Sequence, residues 1–122
     1  MAQNFHDLVV WQRSIELTVC IYKLTCSFPK DEIYGLVTQM RRASVSVASN
    51  IAEGRGRLSH AEFRHFLSLA HGSTFELKTQ LVVVERLGMG DPEALGEAQS
   101  LAEDVSKMLT SFIQALGKRA NS

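Results

Sequence analysis

Four long segments with the apolar spacing of α-helices dominate the sequence, and only short runs of helix-breaking residues separate them. These breaks lie at Phe28–Asp31, Gly54–Arg57 and Gly88–Asp91. Because connections this short place consecutive helices side by side in opposite directions, the pattern predicts an all-α, antiparallel up-down-up-down four-helix bundle. The helices are expected over about residues 7–26, 31–54, 59–87 and 92–116.

Residues that favour helix ends support these bounds. Ser59 and Glu62 have the spacing of a capping box, and Asp91 followed by Pro92 provides the N-cap and first residue of a helix. Asp7 is expected to cap the first helix. A glycine of the following turn is expected to end the second helix in the left-handed conformation.

The length of 122 residues and the 45% apolar content are those of one globular domain, which we expect to span residues 1–122. Thirteen Lys and Arg balance thirteen Asp and Glu, which excludes a uniformly basic nucleic-acid-binding protein. Cys20 and Cys26 are too few for a disulfide scaffold, so both are expected to be small buried side chains in a reducing compartment. Without a basic leader or an apolar run of about 20 residues, the chain is expected to be cytoplasmic and to make no membrane contact.

The first predicted helix carries two apolar stripes on roughly opposite sides. A helix in a monomeric bundle buries one stripe, so the second is expected to meet another subunit, although scattered exposed aliphatic residues are also common on monomers. We assign the stripe with Trp11 to the core, so a charge at Ile15 should unfold the subunit and a charge at Leu17 should break only the oligomer. The core stripe is Leu8, Trp11, Ile15, Val19, Tyr22 and Cys26, and the predicted subunit interface is Val10, Leu17, Ile21 and Leu24.

The third and fourth predicted helices differ in how widely their apolar residues spread. The fourth has one apolar face and one charged side, which is the pattern of a helix with one side in water. The third has a main stripe from Phe63 to Val84 and further large apolar residues outside it. These further residues are Leu69, Phe75, Val82 and Val83.

The sequence resembles a bacterial family of four-helix-bundle proteins whose founding members are encoded in intervening sequences of 23S rRNA genes. The most specific match is the run Asn50, Ile51, Ala52, Glu53 and Gly54, followed by Gly56 and Arg57. The resemblance covers residues 5 to about 88 in motif detail and the remainder by pattern only. Other matching residues include Phe5, Asp7, Leu8, Trp11, Gln12, Phe28, Pro29, Glu32, Tyr34, Gly35, Leu36, Gln39, Arg41, Arg42, Ser46, Phe63, Phe66, Leu67, Ala70, Gly72, Ser73, Glu76 and Leu77.

The resemblance implies a four-helix subunit that assembles into a ring, a homopentamer. The family is similar to the accessory protein of diversity-generating retroelements, a basic pentameric barrel that binds nucleic acid and a reverse transcriptase. This chain departs from that accessory protein because its formal net charge is zero. The resemblance implies no established biochemical function.

Charge is distributed unevenly along the neutral chain. Residues 41–64 contain five arginines and two glutamates, a net charge of +3, and residues 85–104 contain six acidic residues and one arginine, a net charge of −5. Arginines of the basic segment can contact phosphates, or they can cap helix ends and pair with acidic residues of a neighbouring subunit. The candidate nucleic-acid-binding residues are Arg41, Arg42, Arg55, Arg57 and Arg64.

Two polar residues of the family motif, Asn50 and Glu53, have a functional and a structural interpretation. In the first, they form a recognition or active site at the end of the second helix. In the second, Asn50 bonds a neighbouring helix end and Glu53 pairs with an arginine of the turn. The structural interpretation is favoured because buried polar groups must find hydrogen-bond partners.

No group of residues has the pattern of a catalytic or metal site. Glu62 and His65 have the Glu-x-x-His spacing of di-iron bundles, but the second such pair and the further carboxylates are missing. The sequence contains no Gly-x-Ser-x-Gly elbow and no P-loop, and neither cysteine has an evident histidine partner. We therefore expect no catalytic residue, no metal and no cofactor.

The sequence favours a non-enzymatic protein that assembles with itself, as a homopentameric interaction scaffold whose protein partner is unknown. The alternative is a nucleic-acid-binding accessory protein that binds RNA or DNA weakly through the basic turn between the second and third helices. These functions differ in whether the arginines form one exposed patch or are used in ion pairs.

Overall fold

The computed structural model describes residues 4–120, and within that range it contains four α-helices and no strand. Two 3-10 turns and one π-helical turn, at Phe5–Asp7, Lys30–Glu32 and Ile33–Val37, precede α1 and α2. The prediction of an all-α fold with four helices is confirmed. The helices are α1 at Val9–Thr25, α2 at Thr38–Arg55, α3 at His60–Leu87 and α4 at Pro92–Ala120.

Each helix packs mainly against two others, so the four helices surround one core. Helices α1 and α3 both pack against α2 and α4, and they therefore occupy opposite corners of the bundle. Between α3 and α4, Arg64 Nε donates to the Ile113 carbonyl over 3.2 Å, and Lys78 pairs with Glu103 over 3.3 Å. These contacts occur in opposite order along the two helices.

The core is built from large apolar side chains of all four helices. Burying each such side chain contributes roughly 1.5–3 kcal/mol relative to leaving it exposed. The predicted apolar stripe of α3 and the predicted apolar face of α4 lie in this core or at its edge. Fully buried members include Leu17, Met40, Leu67, Leu77, Val105 and Leu109.

The inward face of α1 is the opposite of the predicted one. Leu17 and Ile21 are completely buried, so the prediction that this stripe forms the subunit interface is wrong. These side chains fill the core of their own subunit instead. The corrected residues are Val10, Leu17, Ile21 and Leu24.

The stripe that was expected to lie in the core faces solvent over most of its length. Ile15, Val19 and Tyr22 are 37%, 47% and 41% exposed, respectively. Trp11 led to the wrong orientation, because this half-buried ring packs at the edge of the bundle against the Phe5 ring rather than inside it. A residue type that usually anchors a core here anchors the segment that precedes α1.

The predicted starts of α3 and α4 are confirmed. The Ser59 hydroxyl accepts the backbone N–H of Glu62 over 3.1 Å, and the Asp91 carboxylate accepts that of Ala94 over 3.0 Å. Pro92 is the first residue of α4. Only half of the predicted capping box is formed, since the hydrogen bonds between described residues include none from Ser59 N–H to the Glu62 carboxylate.

Three other predicted helix ends are wrong. Asp7 lies in the 3-10 turn that Asn4 caps, so Leu8 and not Asp7 precedes α1. Helix α2 ends at Arg55, and Gly56 after it keeps a right-handed conformation, with φ of −80°. Helix α4 continues beyond Leu116 to Ala120, and Gly117 lies inside it without adopting the left-handed conformation.

We expect Ser59→Ala to lower the free energy of unfolding by about 1 kcal/mol, because it removes the side-chain acceptor of the α3 N-cap. Glu62→Ala should cost less, since its carboxylate makes no return bond to the cap. Thermal melts of the two variants compare these costs. A larger loss for Glu62→Ala would show that this carboxylate has a stabilising partner of its own.

Candidate interaction surfaces

The motif glycine Gly54 brings α2 and α3 into close contact where α2 ends. A Cβ atom at this position would lie 2.7 Å from Phe66 Cβ and 3.0 Å from Phe63 Cδ1. No real Cβ atom tolerates the first distance, so only glycine fits without movement of one helix. The packing of α2 against α3 therefore explains why the motif has glycine at this position.

The motif residue Asn50 belongs to a chain of hydrogen bonds along the seam between α2 and α3. Its Nδ2 donates to the Ser46 carbonyl over 2.9 Å and contacts Ser46 Oγ over 3.0 Å. Ser46 Oγ in turn bonds Ser73 Oγ of α3 over 2.9 Å. The predicted bond from Asn50 to a neighbouring helix end is wrong, because Asn50 bonds within α2 and reaches α3 only through Ser46.

The motif residue Glu53 pairs with Arg57 over 2.9 Å, which confirms the predicted pairing with an arginine of the turn. The Arg57 guanidinium also lies 4.6 Å from the centre of the Phe66 ring. Both charged side chains remain substantially exposed, so the pair contributes at most about 1 kcal/mol. Its evident effect is to hold Arg57 against the end of α2.

The five candidate nucleic-acid-binding arginines fall into two separate groups. Arg41 Nε donates to Thr25 Oγ1 over 2.9 Å, and its guanidinium lies 4.5 Å from the centre of the Tyr22 ring. It therefore ties the start of α2 to the end of α1. Arg42 is its exposed neighbour, and both lie about 20 Å along the helix axis from Arg55.

The remaining three arginines, Arg55, Arg57 and Arg64, share the end of the bundle at the turn between α2 and α3, which we call the basic tip. Arg64 is engaged with the Ile113 carbonyl of α4. The Arg55 guanidinium lies 5.7 Å from the centre of the Phe63 ring, and its Nε is buried without a hydrogen-bond partner. The basic tip therefore has three cations, each packed against its own subunit.

Two groups of large apolar residues are exposed on the outside of the bundle, one on α1 and one on α3. The α1 face comprises Ile15, Val19 and Tyr22. The α3 face comprises Leu69, Phe75, Val82, Val83 and Leu87. The sequence pattern identified four of the five α3 residues as lying outside the core stripe, but it assigned the α1 residues to the core.

No group of three or more His, Cys, Asp or Glu side chains is placed among the described residues to hold a metal ion. Burial raises the pKa of the Cys20 thiol, and nearby Glu97 raises it further, so this thiol stays protonated and weakly nucleophilic at neutral pH. Cys26 is exposed, contrary to prediction, because it lies just beyond the end of α1.

None of the described helices combines the length and the apolar content needed to cross a bilayer.

Comparison with known proteins identifies the family. The family model of the 23S rRNA-intervening sequence protein matches residues 6–111. The fold is similar to the crystal structure of a protein of unknown function from the S23 ribosomal protein family of Bacteroides thetaiotaomicron VPI-5482. The two sequences are 25% identical, and the TM-score is 0.76. The match covers 86% of this chain and 98% of that chain. No curated protein matches significantly. The chain therefore belongs to the 23S rRNA-intervening sequence protein family.

Proposed function

We propose that this protein is a non-enzymatic, cytoplasmic interaction scaffold that assembles with itself into a ring of identical subunits. In this proposal each subunit is an up-down-up-down bundle, which the reversed order of the contacts between α3 and α4 supports. Five subunits is the number implied by the family resemblance. The single observation that carries the proposal is the presence of the α1 face and the α3 face on the outside of an otherwise ordinary bundle.

The exposed apolar residues of α1 are grouped rather than scattered, and grouping distinguishes an interface from ordinary surface. Ile15, Val19 and Tyr22 follow one another at spacings of four and three, so they line one side of α1. Single exposed aliphatic residues are common on monomers, whereas contiguous apolar patches mark contact sites. Burying both faces against other copies removes this surface from water.

The non-enzymatic part of the proposal is supported by the chemistry of the described side chains. Burial raises the pKa of the Cys20 thiol, which favours its less reactive, protonated form. Catalytic sites usually contain groups whose pKa is shifted toward the reactive form. The polar motif residues Asn50, Ser46 and Glu53 are used in contacts within the subunit.

Val19→Glu is expected to break the assembly while leaving the subunit helical, because it places a charge in the α1 face without entering the core. Gln114→Glu is the matched control, since it adds the same charge to an exposed polar position of α4. Light scattering gives the mass and circular dichroism gives the helical content. Retention of the wild-type mass by Val19→Glu would remove the α1 face from the proposed contact.

The basic tip supports a second candidate, weak binding of RNA or DNA. Three cations per subunit are too few for tight binding, but a ring repeats the tip and raises its avidity. Because phosphate neutralisation releases counterions, we expect binding that is insensitive to sequence and falls steeply with salt. The acidic segment of α4 opposes it.

Fluorescence anisotropy with a short RNA and a short duplex DNA tests this candidate at low and physiological salt. The double variant Arg55→Glu with Arg57→Glu should abolish any binding that the basic tip provides. Binding that is unchanged at physiological salt or in this double variant would place the nucleic-acid site elsewhere. Absence of binding at low salt would leave the scaffold as the one proposed function.

A further inference from the structure

We propose that a groove between the start of α1 and the middle of α4 binds a small amphiphilic carboxylate, a molecule with an apolar body and one carboxylate head group. The groove has a volume of about 510 Å³, which lies within the range of small-molecule sites in proteins. None of its lining residues belongs to the α1 face or to the basic tip. The site is therefore separate from the surfaces of both proposed functions.

The walls of the groove are mostly apolar. On the α1 side, Val9 is 58% exposed and Leu8 is half-buried. On the α4 side, Met108 and Phe112 lie one turn apart and pack against the core while remaining half-buried. An apolar body between these side chains removes their exposed parts from water, which favours binding.

The polar side chains of the groove lie next to each other and both donate hydrogen bonds. Lys107 and Ser111 are exposed and four residues apart, so they are neighbours on the surface of α4. Lys107 is the one charged residue among those that line the groove. Because an ammonium group donates hydrogen bonds and accepts none, it pairs best with an anionic acceptor. One ammonium group balances the single charge of a carboxylate, but not the charge of about −1.5 to −2 on a phosphate monoester.

Both donors are available to a ligand. Lys107 belongs to none of the ion pairs between described residues. The hydroxyls of Ser68 and Thr110 donate to the backbone carbonyl one turn earlier, whereas the Ser111 hydroxyl makes no hydrogen bond to another described residue. A carboxylate between Lys107 and Ser111 would therefore displace no contact of the subunit.

The carboxylates nearest in the sequence do not line the groove. Asp7 lies in the 3-10 turn before α1, and Asp104 lines a separate groove between α1 and α4. Glu103 pairs with Lys78 of α3 over 3.3 Å. Among the described residues, no carboxylate inside the groove competes with that of a ligand for the Lys107 ammonium group.

The length of the groove favours a small molecule over a protein partner. Its lining residues on α4 run from Lys107 to Phe112, which is about 8 Å along the helix axis. A helix that docks in a groove uses anchors up to seven residues apart, or about 11 Å. The groove is shorter than that span, so a compact ligand fits it better.

Isothermal titration calorimetry with octanoate, octanol and octylamine tests the proposal. The three probes share one apolar chain and differ in the charge of the head group, which is negative, neutral and positive at neutral pH. We expect octanoate to bind about tenfold more tightly than octanol, because it adds a charge-assisted hydrogen bond, and octylamine to bind most weakly. Equal affinities for the three probes, or no binding of any of them at millimolar concentration, would overturn the proposal.

A charge reversal locates the site. Lys107→Glu should bind octylamine more tightly than octanoate, whereas Lys30→Glu, at an exposed lysine outside the groove, should keep the wild-type order. Val9→Ser removes apolar surface from an exposed wall and should weaken octanoate binding several-fold while circular dichroism shows unchanged helical content. Unchanged octanoate binding by Lys107→Glu would overturn the proposed site.

Light scattering with and without octanoate separates this proposal from self-assembly. The mass should not change on binding, because the groove lies outside the α1 face. A monomeric mass in both samples would contradict self-assembly and leave the carboxylate site intact. A mass that falls as octanoate binds would show that another copy of the chain occupies the groove, and would overturn the proposal.

Discussion

Leu17→Glu is expected to unfold the subunit or to lower its free energy of unfolding by about 4 kcal/mol or more. Leu17 is completely buried, so the substitution removes a large apolar side chain from the core and leaves a carboxyl group without a polar partner. A domain of this size is stable by about 5–15 kcal/mol, so most of that stability would be lost. Circular dichroism measures the loss of helix, and urea denaturation measures how far the unfolding midpoint falls.

Ile15→Glu is the matched control because it makes the same substitution on the same helix two residues earlier. Ile15 is 37% exposed, so its subunit should remain helical and lose the ability to assemble. This order of effects is the reverse of the order that the sequence pattern alone predicts. If Ile15→Glu unfolded the subunit and Leu17→Glu did not, the observed rotation of α1 would be wrong.

Gly54→Ala is expected to destabilise the subunit by about 1–3 kcal/mol, although alanine favours a helix more than glycine does. The added methyl group would lie 2.7 Å from Phe66 Cβ and 3.3 Å from the Phe63 carbonyl oxygen. Neither neighbour is the free end of a flexible side chain, so α2 and α3 must move apart. Thermal or urea denaturation gives the change in stability.

Gly96→Ala is the control for helix propensity alone. Gly96 lies in α4 with nothing within 4 Å of a built Cβ, so alanine should stabilise the subunit by about 0.4–1 kcal/mol. The two Gly→Ala substitutions should therefore act in opposite directions. A stabilising effect of Gly54→Ala would mean that the close packing of α2 on α3 does not constrain this motif position.

The number, order and approximate bounds of the helices could be predicted because they depend on local signals. Ser59, Asp91 and Pro92 act within one turn of the chain, so their effects can be inferred from neighbouring residues. Helix ends that depend on distant contacts could not be inferred in this way. Gly56 keeps a right-handed conformation although glycine there allows the left-handed one.

The rotation of α1 could not be predicted because both of its stripes are apolar, and periodicity alone does not say which faces inward. Leu17 and Ile15 have similar hydrophobicity, and their burial differs only because of what α2 and α4 place opposite them. The partner of Asn50 depends on the same kind of information. Its bond to Ser46 is local, but the link onward to Ser73 requires that α2 and α3 be placed together.

The role of the motif glycine, Gly54, could not be predicted from the sequence either. Gly54 suggested a turn because it lies near the end of a helical segment and glycine often ends helices. Its actual constraint is the distance to Phe66, a residue twelve positions later on another helix. A packing constraint of this kind becomes visible only when the two helices are seen in contact.

The mass of the wild-type protein in solution tests the central claim most directly. Multi-angle light scattering after size-exclusion chromatography, at micromolar concentration and physiological salt, is expected to give about five times the subunit mass of 13.5 kDa. A closed ring also predicts that this mass stays constant as concentration rises, because it leaves no free face for further addition. A mass of one subunit across that concentration range would contradict self-assembly.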